Sequence, residues 1–456
     1  LTPLSKLTSM NIPAAINTTS VLLYALLSAV YKTAQVLHSL PAPAEHSSQS
    51  ATNFLPDVDV IVPCFNENPD TLRACLASIA TQEYSGALKI HVVDDGSANR
   101  DALEPVYRDY EHDPRFNFVL LPQNVGKRKA QIAAIRASSA ELILNVDSDT
   151  TLAPDVISQL ILTMSDAEVG AAMGQLTASN RNDTWLTRLI DMEYWLACNE
   201  ERAAQARFGA VMCCCGPCAI YRRSALLLLL DQYETQMFRG KRSDFGEDRH
   251  LTILMLAAGY RTEYAPNAIA STVVPDRLGP YLRQQLRWAR STYRDTLLAL
   301  RLLPRLDRYL TLDVIAQNAG SLLLAIAMLS GFLQIVLTET APWKACFLIA
   351  SMSMLRCSVA AVRSCELRFL GFSAHTLVNL LFLLPVKAYA LCTLSNSNWL
   401  SRGVAAGGCS AHVDPPGHDT ETGTTISTNG GAQRDKPRRH WDEQAFTESD
   451  DVFRNK

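Results

Sequence analysis

Glu141-Leu142-Ile143-Leu144-Asn145-Val146-Asp147-Ser148-Asp149 is an apolar run that stops abruptly in two carboxylates with one residue between them. A short branched-apolar run bounded by polar residues predicts a buried strand, and in an open α/β sheet ligands gather beyond the carboxyl ends of the strands. Asp147 and Asp149 should therefore project into a crevice. A hard divalent cation takes oxygen ligands and fills the rest of its shell with water and substrate phosphates, so one or two carboxylates suffice to hold a metal–diphosphate complex. Asp and Ser are also turn residues, and the triplet alone fits a plain turn equally well. The surrounding chain decides.

Upstream, Val58 to Val62 predicts a first strand that runs into Pro63-Cys64-Phe65-Asn66-Glu67. Leu72, Cys75, Leu76 and Ile79 then recur at helical spacing from near Asp70, and Leu88 to Val93 predicts a second strand that ends in Asp94-Asp95-Gly96-Ser97. Phe116 to Leu121 predicts a third, and the turn Gln123 to Arg128 opens a helix reaching Ser139. This alternation, from Asp57 to about Thr272, is the pattern of a doubly wound α/β domain with a mostly parallel sheet. Three polar strand ends pointing one way would share a crevice, with Lys127 or Arg128 facing a phosphate. No G-x-G-x-x-G follows the first strand, which removes the main support for a dinucleotide-binding fold. Downstream, a long helix is expected over Thr184 to Gln205 and a strand–turn–strand passage over Gly209 to Tyr221. Phe245-Gly246-Glu247-Asp248 heads an apolar helix, Leu251 to Ala258, and Arg283 to Arg290 forms a basic helix carrying Trp288.

The chain has 456 residues, 48% hydrophobic and 19% charged, with a formal net charge of -3. That is too long for one ordinary core and apolar enough to include membrane segments, and no charge argument points to nucleic acid. Twelve cysteines lie in no regular framework, so reduced cytoplasmic thiols are expected. Cys215-Gly-Pro-Cys218 has C-x-x-C spacing with no second pair at zinc-site distance, which favours packing or a tight turn over metal or redox chemistry.

In order along the chain, Asp94-Asp95-Gly96, Asp147-Ser148-Asp149, Gly246-Glu247-Asp248 and Gln284-x-x-Arg287-Trp288 resemble the signature of the processive, inverting family-2 glycosyltransferases. These include the cellulose, chitin and hyaluronan synthases and the rhizobial nodulation N-acetylglucosaminyltransferases, the last being nearest. The similarity runs from roughly Val58 to Arg402. It implies a GT-A type nucleotide-sugar-binding domain with transmembrane and interfacial helices, a UDP-GlcNAc donor, a growing chitooligosaccharide acceptor, membrane lipid around the chain, and Mg²⁺ or Mn²⁺. It also implies that Pro63, Asn66, Glu67 and Asp95 line the uridine pocket, that Lys127 and Asp147 face the nucleotide, and that Asp149 is the metal ligand. By the same resemblance Asp248 is the catalytic base, Gln284, Arg287 and Trp288 hold the diphosphate and the acceptor end, and Trp399 and Arg402 belong to a gating loop. Leu400 and Ser401 depart from that loop's usual pattern, as Glu247 does from the aspartate common beside the base.

Ile12 to Tyr31 carries no charge and reaches about 30 Å as a helix, the thickness of a hydrocarbon core. Val314 to Thr338, Ala345 to Val362 and Phe369 to Val386 are further apolar runs. The basic loop Arg363 to Arg368 places the open end of the first C-terminal pair on the cytoplasmic side of a bacterial inner membrane, with the catalytic domain. If Trp399 and Arg402 reach the nucleotide, the last run lies in the interface or re-enters, with three full crossings as the rival. The expected organisation is an N-terminal membrane helix (1–40), a linker (41–56), the catalytic domain (57–275), interfacial helices (276–308), a C-terminal membrane region (309–403) and a disordered tail (404–456). Leu1 in place of Met suggests an incomplete N-terminus or an unusual start. Two other readings stay open: a synthase of another β-linked polysaccharide, and a non-catalytic membrane scaffold or export component.

Overall fold

The structure, a computed structural model, describes residues 3–40, 54–243 and 245–396. Trp399, Arg402 and the tail from 404 lie outside them, as does most of the expected linker. The strands are β1 (Val58–Cys64), β2 (Leu88–Asp94), β3 (Phe116–Leu120), β4 (Leu142–Asn145), β5 (Thr150–Leu152), β6 (Val169–Ala178), β7 (Ala219–Arg222), β8 (Met237–Phe238), β9 (Lys241–Arg242) and β10 (Arg261–Thr272). Eight of them form one sheet in the order β3-β2-β1-β4-β7-β6-β10-β5, in which only β7 and β5 run against the rest. β8 and β9 make a separate hairpin. Val58, Val60, Ile61, Val62, Ile90, Val92, Val93, Leu142, Ile143 and Leu144 are all fully buried. These largely apolar runs, interrupted inside the sheet by the buried Asp59–His91 pair at 3.0 Å, are what a sheet covered on both faces demands.

The helices are α1 (Pro3–His38), α2 (Pro69–Ala80), α3 (Arg100–Arg108), α4 (Lys127–Ala137), α5 (Val156–Met164), α6 (Trp185–Leu196), α7 (Ala203–Ala206), α8 (Arg223–Glu234), α9 (Glu247–Ala257), α10 (Leu278–Ala299), α11 (Arg308–Thr338), α12 (Trp343–Ser364), α13 (His375–Val378) and α14 (Leu384–Cys392). Local chemistry fixes several starts. Asn68 accepts from the Asp70 and Thr71 amides at the head of α2, with Pro69 at its first position, and Thr184 and Thr187 close a capping box on α6. The expected helix over Thr184 to Gln205 is α6 and α7 joined by a π-helical segment, Ala197–Arg202.

The strand–turn–strand passage expected over Gly209 to Tyr221 is not what forms. Ala210 makes a single bridge to Thr262, and after a 3-10 turn at Gly216–Cys218 only β7 is a strand. The amides between are taken by side chains instead: Met212 donates to Gln205, Cys214 to Thr252 and Gly216 to Asp248. The sequence also hid β6 and β10. The first is rich in Gly and Ala, and the second contains Pro266 within a register shift between Ala265 and Ile269.

Among the described residues, four helical segments are long and apolar enough to cross a membrane: Ile12–His38, Arg308–Thr338, Trp343–Ser364 and Leu367–Cys392. The last is built from 3-10, α and π pieces. Polar ties join these helices to each other and to the catalytic domain. Asn17 donates to the Ala327 carbonyl, Tyr31 to Asp313 at 2.6 Å, and Arg368 to Asp191 at 2.5 Å.

The strand order reverses between β1 and β4, so chain segments leaving these two strands diverge and open a crevice at their carboxyl ends. Registration sharpens the result, because Cys64 pairs with Asp94 and Ile61 with Asn145, which brings the polar ends of β1, β2 and β4 to one edge. α9 reaches the same edge through Gly246, whose φ of +82° is left-handed. A side chain there would also drive into Ser291 of α10. Gly246→Ala is expected to cost roughly 1–2 kcal/mol for the backbone alone and more for the collision. Thermal unfolding should show the loss, and Ser291→Gly in the same chain should restore the collision part but not the backbone part.

Candidate active site

One cavity of about 1320 Å³ runs from the sheet edge into the space among the membrane helices. Pro63, Asp95, Lys127, Asp147, Asp149, Asp248, Gln284, Arg287 and Trp288 all line it, from six separate stretches of chain. Asn66 and Glu67 do not. Asn66, at a left-handed φ of 49°, accepts from the Ala98 amide, while Glu67 accepts from Ser148 Oγ at 2.6 Å and from the Asn68 amide. Both side chains brace the loops that hold the crevice open.

Asp94 and Asp95 divide their work. Asp94 is buried under Arg100, Tyr107 and the Ser97 amide, a purely internal set of partners. Asp95 receives the Val125 and Gly126 amides at 2.7 and 2.9 Å and so fixes the loop that starts α4. Burial raises its carboxyl above the usual range despite those two donors. Its influence on the cavity is exerted through the placement of Lys127.

Lys127 is the centre of the site. Its Nζ lies 2.7 Å from Asp147 and 2.9 Å from Glu247. Burial alone would lower the ammonium, but Asp147, Glu247 and Asp248 together outweigh it and hold its pKa well above the ordinary value. Burial would likewise raise the Glu247 carboxyl, yet Lys127, a backbone amide and Arg287 bring it down to about 2. Asp248 behaves oppositely. Burial pushes it up to about 8, against the pull of Lys127 and with help from Glu247, Asp147 and Cys215. Two adjacent carboxylates at one helix start are thus driven apart, one a fixed charge and the other a group able to exchange a proton near neutrality.

Backbone geometry holds Asp248 in place. The Gly216 amide donates to its Oδ2 at 2.9 Å, and a side chain on Gly216 would press on both Asp248 oxygens and on Lys127 Nζ. Thr252 donates to the Asp248 carbonyl at 2.7 Å and in turn accepts from the Cys214 amide. Thr272 Oγ1 donates to Asp149 Oδ1 at 3.2 Å.

No group of three or more His, Cys, Asp or Glu side chains among the described residues forms a complete metal cage. The donor chemistry suits a cation that brings most of its shell with it: Asp149 and Asp147 present carboxylate oxygens to the cavity, and diphosphate and water would supply the rest. On α10, Gln284 lines the cavity, and its Oε1 is buried without a hydrogen-bond partner. Trp288 is half-buried on the same wall rather than facing outward.

The network also contains groups that the sequence did not single out. Glu247 was expected beside the base and is bound directly to Lys127; its helix-start position hid this, since an acidic first turn needs no other explanation. The Gly216 amide, Thr272 and Arg202 had no signal in a single chain. Cys213 and Cys215, with Arg202 beside them, stand on the cavity wall, whereas Cys218 is fully buried.

Residues 59–228 match the model of glycosyl transferase family 2. The chain is 69% identical over 398 residues to an N-acetylglucosaminyltransferase of Rhizobium sp. (strain N33), covering 87% of this chain and 88% of the relative. An N-acetylglucosaminyltransferase of Mesorhizobium japonicum is also 69% identical, over 87% of this chain and 94% of its own length. One from Azorhizobium caulinodans is 54% identical over 83% and 96%. The fold is similar to that of the mannosyltransferase PcManGT from Pyrobaculum calidifontis, solved in complex with GDP-Man and Mn²⁺, with a TM-score of 0.57 at 20% identity over 81% of this chain and 99% of that one. The sheet, the crevice and the apolar helices are those of a GT-A glycosyltransferase with helices fit to cross a membrane. The chain belongs to glycosyl transferase family 2, among the rhizobial N-acetylglucosaminyltransferases.

Proposed function

We propose that this enzyme is a membrane-bound, inverting, processive β-1,4-N-acetylglucosaminyltransferase that uses UDP-GlcNAc to build a chitooligosaccharide, the backbone of Nod factors, at the cytoplasmic face of the bacterial inner membrane. The observation that carries the reading is the meeting, on one cavity, of a proton-exchanging Asp248 with Lys127, Asp147, Asp149 and the Gln284, Arg287 and Trp288 face of α10. The named relatives favour GlcNAc as the sugar over the donors of hyaluronan or cellulose synthesis.

In this reading the uracil end of the donor enters beside Pro63 and Asp95, and the diphosphate lies near Asp147, Asp149 and Arg287. Mg²⁺ or Mn²⁺, when bound through Asp149, supplies Lewis-acid stabilisation of the leaving diphosphate. Arg287 adds a fixed positive charge where negative charge develops. The acceptor hydroxyl attacks the anomeric carbon from the face opposite UDP, and Asp248 takes its proton, so a single displacement inverts α to β. Trp288 offers an apolar face to the terminal sugar ring. Lys127, already spanning Asp147 and Glu247, sets the charge around Asp248 more than it neutralises phosphate.

Incubating membranes containing the chain with labelled UDP-sugars should give labelled chitooligomers from UDP-GlcNAc alone. Transfer from another donor would move it to a different β-linked polymer, and absence of UDP release from every donor would mark a scaffold. Chelating divalent metal should stop transfer, and Asp149→Asn should raise the metal concentration needed to restore it.

Asp248→Asn should lower the transfer rate by about 100-fold or more while leaving UDP binding intact, as read by calorimetry. The same variant should be more stable than the natural chain at pH 8. A carboxyl held protonated to about 8, against an ordinary 3.8, stabilises the folded state most below pH 3.8 and loses that contribution as pH rises through 8. The gain in Tm should therefore shrink to nothing towards pH 4. In the natural enzyme kcat/KM should climb with pH and level off near 8.

A further inference from the structure

Cys213 and Cys215 sit on the cavity wall with their sulfurs 3.9 Å apart, both half-buried, while Cys214 between them is buried in the core. Arg202, at the end of the π-helical segment, donates from Nη2 to Cys215 Sγ at 3.3 Å. The residue that follows Cys215 is Gly216, whose amide holds Asp248. Cys215 also packs against the edge of the main core, and the proposed transfer reaction uses neither sulfur.

We propose that Cys213 and Cys215 are an oxidative modification site in the active cavity, a thiol pair that a peroxide converts to a disulfide and that thereby turns transfer off. Cys215 is the attacking sulfur, because it faces the Arg202 guanidinium, and Cys213 resolves. The Cys215 thiolate attacks one peroxide oxygen and the O–O bond breaks, leaving a sulfenic acid and hydroxide, which takes up the proton released when the Cys215 thiol ionised and becomes water. Cys213 sulfur then attacks the sulfenic sulfur, the S–O bond breaks as S–S forms, and the departing hydroxide takes the Cys213 proton as a second water. Two thiols are oxidised and one peroxide is reduced. The hydrogen bond from Cys213, stronger in effect than opposing burial, and the charge of Arg202 bring the Cys215 thiol down to about 6, so it is largely thiolate at neutral pH; the hydrogen bond to Cys215, and after it burial, push the Cys213 thiol the other way.

The link to turnover is geometric. A disulfide requires the sulfurs to close to about 2 Å with a near-perpendicular torsion, and residues two apart can reach this only if the backbone between and beyond them moves. A shift of the Gly216 backbone is felt by the acid directly, since its amide donates to Asp248 Oδ2 at 2.9 Å and there is no room even for a Cβ between it and the Asp248 oxygens and Lys127 Nζ. Closing the bridge should withdraw the amide that orients Asp248. This effect on rate rests on Asp248 as the base, whereas the bridge itself does not.

The test uses the full chain in membranes. After brief treatment with hydrogen peroxide, free thiols are alkylated and the protein is digested and weighed. The expected result is a peptide spanning Cys213 to Cys215 that is two hydrogens lighter and unalkylated, while the exposed Cys346, Cys365 and Cys392 still take the label. Transfer from UDP-GlcNAc should be lost in step with the bridge and regained with dithiothreitol. In Cys213→Ser, peroxide should leave a dimedone-reactive sulfenic acid on Cys215 and no bridge. Both cysteines remaining alkylated in peroxide-inactivated enzyme, or a full bridge without loss of rate, would overturn the proposal. Failure of untreated membranes to use UDP-GlcNAc would instead count against the proposed function, and the mass of the peptide would still decide the bridge.

Discussion

A single ammonium group organises the catalytic end of this molecule. Lys127 Nζ touches Asp147 from the end of β4 and Glu247 from the start of α9, two elements a hundred residues apart in sequence. Four carboxylates converge on this edge, and without a cation among them they would repel one another across a low-dielectric space. Lys127 is delivered there by its own local structure: the left-handed Gly126, at φ +94°, precedes α4, and Asp95 holds the Val125 and Gly126 amides. The second acidic strand end therefore supports the site by placing the cation that the other acids need.

From that constraint the contrast between Glu247 and Asp248 follows. Both sit at the first turn of α9, where a helix start favours negative charge. Glu247 reaches Lys127 directly and stays ionised. Asp248 receives one amide hydrogen bond from Gly216 and feels Lys127 at longer range, while Glu247 and Asp147 already saturate that charge. The result is a carboxyl near the pH at which a base works most effectively. The glycines at 216 and 246 are what allow this closeness, one by letting backbone meet carboxylate and the other by turning α9 against α10.

Much of this architecture was legible in the sequence because it is written in strong signals. The runs that became β1, β2 and β4 are mostly branched and apolar, and each leads into polar residues, so their burial and direction could be read together. α2 announced itself through Leu72, Cys75, Leu76 and Ile79, all of them fully buried. The passage through the cysteines misled because its polar amides pair with Gln205, Thr252 and Asp248, and a side-chain partner leaves no periodicity behind. β6 and β10 failed for a related reason, being a parallel pair in which small residues and a bulge replace the usual pattern. Resemblance assigns Asn66 and Glu67 to the uridine pocket, and their side chains bond Ala98 and Ser148 beside the cavity, while Asp149, Gln284, Arg287 and Trp288 line it.

The membrane helices enter this argument as part of the cavity's construction. Glu200, 1% exposed in the π-helical segment, pairs with Lys32 of α1 and with Arg363 of α12. A buried ion pair brings little net stability, since desolvation offsets most of the attraction, but breaking one leaves a buried charge uncompensated. Its effect here is positional: it pins the segment 197–202, whose irregular turn sets Arg202 and Glu201 on the cavity wall, to two apolar helices that have no other charged reason to meet it. π-segments of this kind persist where geometry matters more than helical regularity. Tyr31 bonds Asp313 at 2.6 Å, and Asp313 also accepts from Gln205 at 2.8 Å, so the same helices brace α7 as well. The cavity that begins at Asp149 and continues past Glu193 to Ser321 and Asn379 is thus shaped jointly by the sheet edge and by helices apolar enough for a bilayer. Polar side chains along the inner surface of those helices would be costly to expose to lipid, and here they pair with one another or line the cavity.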